Sequence, residues 1–304
     1  MSIPMLSNLN LLFDQPILLV DLVANGFMIG AIFALAAFGM ALVWGVMNII
    51  NIAQGEFVML GGFVALFLME AGVPAVIGVP VAAAALFLVG GGFYYLVIDR
   101  VVDRDMFSSV LATFGISILL SQLSNQFFGA DVRTVDPGLG TWLLADGMVS
   151  LPWIKLIAFV LTLVIGVGLW SFLKSSKLGQ AIRATAQNPR AARVLGINTR
   201  RVYALTYSLN AALCGAAGGL VVLAWTIHPY MGLPYTVRSF MVVIVAGLGN
   251  LPGVVIAGLG LGAAENLAGF VLGAEFQIAF VFCLMILVLV WRNMMLKRKR
   301  KYLK

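Results

Sequence analysis

Three carboxylates stand inside otherwise apolar stretches of the chain: Glu56, Glu70 and Glu265. A charge near the centre of a bilayer costs at least about 2.5–3.5 kcal/mol, so a carboxylate held there must face a protein interior, a polar path or a proton relay. Glu56 and Glu70 lie near the ends of their runs, where the plainer reading is a solvated residue at the membrane interface. Glu265, beside Asn266 and one or two turns from Gly258 and Gly262, is the better candidate for a buried polar role. Just before Glu56 the chain reads Asn48-Ile-Ile-Asn51-Ile-Ala-Gln54-Gly55, a polar interruption between apolar runs. Amides at membrane depth need partners, so this hinge is either a turn in water or a break that lines a cavity. A path for a polar solute would be assembled from Asn48, Asn51, Gln54, Glu56, Thr113, Ser117, Asn250 and Glu265.

Other chemistry is missing. The sequence has no G-x-x-x-x-G-K-[ST] nucleotide loop, no metal-spaced group of His, Cys or Asp, and no nucleophile elbow. Cys214 and Cys283 both fall in apolar runs and read as small packing residues. The chain is therefore expected to have no catalytic residue, metal or cofactor of its own. Work done by it must draw on an ion gradient or on a partner.

What positions these residues is a stack of membrane-length helices. The 304 residues are 62% hydrophobic and 10% charged, against roughly 45–50% and 25% in soluble domains, and mean hydropathy is +1.05. This is the composition of a single all-α, polytopic membrane domain spanning 1–304. The net charge of +7 does not mark a nucleic-acid binder. Fourteen of the nineteen Lys and Arg residues cluster in 174–201 and in the tail 292–304, the pattern that holds loops on the cytosolic side. The first 99 residues contain no Lys or Arg, so no secretory signal peptide is evident.

In order, residues 1–16 read as a mixed extracytoplasmic tail. Apolar segments follow at 17–46, 57–69, 75–98, 107–128, 151–173, 202–227, 237–246, 254–270 and 276–291. About nine crossings result, with eight to ten the range that the short segments allow. Gly26 and Gly30 with Ala34, and Ala211 with Gly215 and Gly219, recur every four residues, a spacing that lets helix backbones approach closely. Ser109, Thr113, Ser117, Ser121 and Asn125 also step by four and wind slowly along one helix face. Such a row either hydrogen-bonds neighbouring helices or lines a polar path, and packing is the commoner use. Residues 129–150, rich in Gly and Asp, are expected as an outer loop. The run 237–246 is too short to span at about 1.5 Å per residue and ends at Gly247-Leu-Gly-Asn250-Leu-Pro-Gly253, as broken helices around a solute path do.

The basic stretch Lys174–Arg201 carries seven cations and no acid. It predicts a short helix over 178–187, a break at Asn188-Pro189 in which Asn caps and Pro starts the next turn, a second helix over 191–195, and a stop at Gly196. Charge alone says only that this loop orients the protein. Helix–break–helix order says that it is also a surface on which a partner docks.

Four passages together resemble the permeases of branched-chain amino-acid ABC importers, the LivH type. They are GQAIRATAQNPRAARVLGINTRRVYALTY, NGFMIGAIFALAAFGMALVWGVMNIINIAQGEFVMLGGFVA, LATFGISILLSQLSNQFFG and AGLGNLPGVVIAGLGLGAAE. The likeness covers about residues 20–290, and Gln54 departs from it, standing where the family's INFAHGE-like motif carries His. It implies a bacterial inner-membrane subunit paired with a second, related permease. Two cytosolic ATPases holding ATP and Mg2+ would drive the pair, and an extracytoplasmic binding protein would deliver the solute. Nothing beyond membrane lipid is implied as a further partner, and no nucleic acid. The loop would then be the coupling element, with Arg183, Asn188, Pro189, Arg190, Arg193 and Gly196 seated on the ATPase. Rival readings are an ion-coupled secondary transporter using Glu56 or Glu265, a passive channel and, least of all, a scaffold.

Overall fold

The computed structural model describes residues 4–135, 138, 140–144, 147–247 and 249–301, without the side chains of 4–7 and 295–301. Most of the basic tail, beyond Met294, thus lies outside the described side chains. Twelve helices follow one another: α1 (Pro4–Asp14), α2 (Pro16–Met47), α3 (Gln54–Glu70), α4 (Ala75–Leu96), α5 (Met106–Phe128), α6 (Trp153–Ser175), α7 (Lys177–Gln187), α8 (Pro189–Val194), α9 (Thr199–Ala224), α10 (Gly232–Ala246), α11 (Leu251–Leu272) and α12 (Gln277–Lys301). Seven of the described helical stretches are long and apolar enough to cross a membrane; α3, at 17 residues, and α10, at 15, are the shorter two that complete nine segments.

Direction alternates through all nine. Asp99 and Asp103, between α4 and α5, meet Arg200 and Arg193 at the end of the bundle that carries the 174–201 loop. Glu70 meets Arg133 at the opposite end. Four segments therefore separate the loop from the chain's C-terminal basic stretch.

Two departures from the sequence reading stand at the opposite end. The N-terminal stretch, read as a mixed tail, contains the helix α1, and Asn8 Nδ2 donates to the Phe270 carbonyl at 2.8 Å. The 129–150 segment contains all of β1 (Thr141–Leu144) and the start of β2 (Val149–Pro152), which pair as a hairpin in an otherwise helical fold. Asp21 of α2 holds it there, accepting from the Ser150 amide at 2.7 Å.

The centre is built from α2 and α9, the two most buried spans. The small-residue spacing does what it predicts. Gly26 and Gly30 of α2 lie against Gly258 and Gly262 of α11 so closely that a Cβ on Gly30 would overlap the Gly258 carbonyl. Lipid tails are as apolar as leucine, so such helices gain by close packing and not by leaving water.

Candidate functional site

Beyond its exposed first residue, Asn48, the polar hinge 48–53 is a buried break and not a turn in water. Helix α2 ends at Asn48, whose φ of 52° is left-handed, and the chain then folds back so that α3 begins deep in the protein. Gln54, the first residue of α3, donates from Nε2 to the Ala36 carbonyl in the middle of α2 at 2.8 Å, and to Cys214 Sγ at 3.0 Å. Asn51 donates to Gln54 Oε1 at 3.2 Å, and both amides are buried.

Non-helical backbone at this depth leaves N–H and C=O groups that must find partners inside the protein. Two threonine hydroxyls supply them. Thr113 Oγ1 of α5 accepts from the Ile52 amide at 3.1 Å and lies 3.1 Å from the Ile50 carbonyl. Thr236 Oγ1 of α10 accepts from the Gly55 amide at 2.8 Å and donates to the Ile52 carbonyl at 3.0 Å. The middle of the four-step row on α5 is thus spent on neighbours: Ser117 Oγ donates to Glu56 Oε1 at 3.1 Å, and Ser121 Oγ to the Pro229 carbonyl at 3.3 Å, while Ser109 Oγ bonds the Met106 carbonyl of its own helix.

Glu56 is 4% exposed, so the solvated-interface reading, which holds for the surface pair Glu70–Arg133, fails for it. It sits in the first turn of α3, and its carboxylate abuts Gly232, the first residue of α10. Two interrupted helices therefore begin around one carboxylate. Oε2 has no hydrogen-bond partner among the described residues.

Of the eight proposed path residues, the fold brings together Asn51, Gln54, Glu56, Thr113 and Ser117. The other three lie apart. Asn48 is exposed at the end of α2, and Asn250 caps α11 at the loop end, accepting from the Gly253 amide at 3.1 Å. Glu265 is buried in an ion pair with Arg238 of α10, whose Nε lies 3.0 Å from Oε2 and whose Nη2 also donates. The Arg238 guanidinium packs over the Phe33 ring at 4.9 Å. A cavity of about 330 Å3 opens beside this pair, with Lys155, Asn266 and Gln277 on its wall.

Sequence reasoning missed Arg238, Lys155 and Thr236. Arg238 carried a signal, since a lone cation in an apolar run implies a buried acid nearby. Thr236 carried none: a threonine in a membrane helix is ordinary.

The basic loop forms as its residues dictate. Ser176 caps α7, its Oγ accepting from the Gly179 amide at 2.8 Å. Asn188 caps α8, accepting from the Arg190 and Ala191 amides at 3.1 Å each, with Pro189 at the first helical position. Gly196 takes φ of +83°, which stops α8. Arg193 braces the loop from within, donating to Thr199 Oγ1 at 2.8 Å and to Asp103. Arg183 donates to the Lys174 carbonyl at 3.1 Å. Arg190 faces outward, as do Val194 and Leu195, 87% and 79% exposed.

Residues 22–289 match the family model described as branched-chain amino acid transport system / permease component. The chain belongs to that permease family. It is 31% identical to the high-affinity branched-chain amino acid transport system permease protein LivH of Escherichia coli, over 88% of this chain and 91% of LivH. It is likewise 31% identical to BraD of Pseudomonas aeruginosa, over 88% of this chain and 92% of BraD. PsaBC from Streptococcus pneumoniae, solved in complex with Fab, aligns over 93% of this chain and 94% of its own with a TM-score of 0.42 and 13% identity. This permease is a multi-pass membrane protein.

Proposed function

We propose that this permease is the membrane subunit of an ATP-driven importer of branched-chain or related amino acids in a bacterial inner membrane. It works with a second, related permease, two cytosolic ATPases that hold the ATP and Mg2+, and a soluble extracytoplasmic binding protein. The names of the relatives support the solute class. One structural observation carries the mechanism: α7–α8 is a capped, braced two-helix element that turns Arg190, Val194 and Leu195 outward.

The roles within the loop divide. Asn188, Pro189, Arg193 and Gly196 build the element, and Arg190 with the two exposed apolar side chains forms its contact face. Arg193 and Arg200 tie it to Asp103 and Asp99 at the foot of α4. Force on α7–α8 would thereby reach α4, α9 and the break at 48–56, where α3 and α10 begin. Alternating exposure of a path by rocking such broken helices is the expected consequence.

The test is co-purification with the ATPases. Changing Arg190→Glu, Val194→Asp and Leu195→Asp together should abolish ATPase association while membrane insertion stays normal. Unchanged association would overturn the coupling role.

The rival proton-coupled transporter has one observation in its favour, the unpartnered Oε2 of Glu56. Glu265 supports it less, being paired with Arg238. That reading requires uptake to stop when a protonophore collapses the gradient with ATP intact.

A further inference from the structure

At the loop end a cavity of about 400 Å3 opens between α2, α6, α7 and the turn that starts α11. Among the described residues, the ionisable side chains that line it are two bases, Lys174 and Arg183. Lys174 Nζ lies 4.7 Å over the Trp170 ring, and Arg183 is bonded to the Lys174 carbonyl, so the two cations are held at one mouth. Asn250 adds an exposed amide.

Below the mouth the groove continues. A second cavity of about 340 Å3 shares Trp170, Leu251 and Pro252 with the first and runs down between α6 and α11 over Phe38, Val167 and Val255. No charged residue lines this lower part. Helices α6 and α11 touch little directly, which leaves the slot open along the bundle's side. Tryptophan marks the level of the headgroups, and lysine and arginine there reach for phosphate. Cations at headgroup level above an apolar slot match the order of groups along a phospholipid.

We propose that this groove is a binding site for an anionic phospholipid of the cytosolic leaflet. Its phosphate sits on Lys174 and Arg183, and one acyl chain lies in the slot between α6 and α11. The site lies outside the coupling face of α8 and does not depend on it. A bound lipid would fill the gap between α6 and α11 and so fasten the basic loop to the helix that follows the glycine turn.

Native mass spectrometry of the full chain in detergent tests this, with phosphatidylglycerol and phosphatidylcholine of identical acyl chains as probes. Phosphatidylglycerol should be retained as a discrete one-lipid adduct, and phosphatidylcholine lost under the same activation. Lys174→Gln with Arg183→Gln should weaken retention at least about tenfold, since each base near an anionic headgroup contributes on the order of 1 kcal/mol. The charge-matched control Arg190→Gln with Arg201→Gln should retain the lipid, since neither residue lines the cavity. Val167→Trp, an exposed apolar position, should block the slot and lose the adduct with both bases intact. Equal retention of the two lipids would overturn the proposal. So would full displacement by millimolar inorganic phosphate, which would mean a free-anion site, or a dimer of the chain that excludes lipid. If the double variant does not fold, the two-lipid comparison and Val167→Trp still decide.

Discussion

Glu56 and Gly232 occupy adjoining space at the point where two interrupted helices begin. A Cβ on Gly232 would overlap the Glu56 carboxylate, to which Ser117 Oγ donates. Gly232→Ala should therefore destabilise the protein by about 1–3 kcal/mol, the usual range for overpacking. In a Glu56→Ala background the same change should cost much less, because the space is then empty. Melting temperatures of the four proteins in detergent close that cycle, and additive shifts would contradict the contact.

Thr236 holds the break with a single hydroxyl. Thr236→Val keeps the shape but leaves the Gly55 amide and the Ile52 carbonyl without that partner. Each unsatisfied buried group costs about 1–3 kcal/mol, so a marked loss of thermal stability is expected. Thr236→Ser should behave nearly as wild type. A silent valine variant would mean that water enters the break.

Removing one half of the buried pair should be worse than removing both. Arg238→Met leaves Glu265 as an uncompensated charge, a change worth about 3–5 kcal/mol in buried pairs. Arg238→Met with Glu265→Leu should recover most of that in a thermal melt. If the double variant is as unstable as the single, the two residues serve separate partners.

The braces at the foot of α4 should matter for coupling more than for stability. Asp99→Asn with Asp103→Asn removes the negative charges that Arg200 and Arg193 pair with. Exposed ion pairs contribute little to folding. The assembled complex should then hydrolyse ATP while moving little solute. Uptake that stays proportional to hydrolysis would show that force takes another route.

The loop illustrates what local sequence conveys. Asn188 caps, Pro189 opens a helix and Gly196 closes it through contacts within a few residues, so the whole element is legible in the chain. The membrane segments are legible for a related reason, since length and hydropathy are sums over neighbours. The spacing of Gly26 and Gly30 announced a close helix contact but not its partner: α11 lies more than two hundred residues away in sequence.

Glu56 shows where such reading stops. Its place near the end of an apolar run suggested solvent, yet the chain folds back over 48–53 and starts α3 inside the protein. Only the packing of α5 and α10 around that break decides it, through Thr113 and Thr236, 61 and 184 residues from Ile52. Arg238 and Glu265 likewise stand 27 residues apart on different helices. Composition and local spacing set by themselves roughly where the membrane segments lie and which loop is basic, because those depend on neighbours along the chain. Burial, the pairing of distant polar groups and the groove beside α11 were left to tertiary structure, because they depend on which helix faces which.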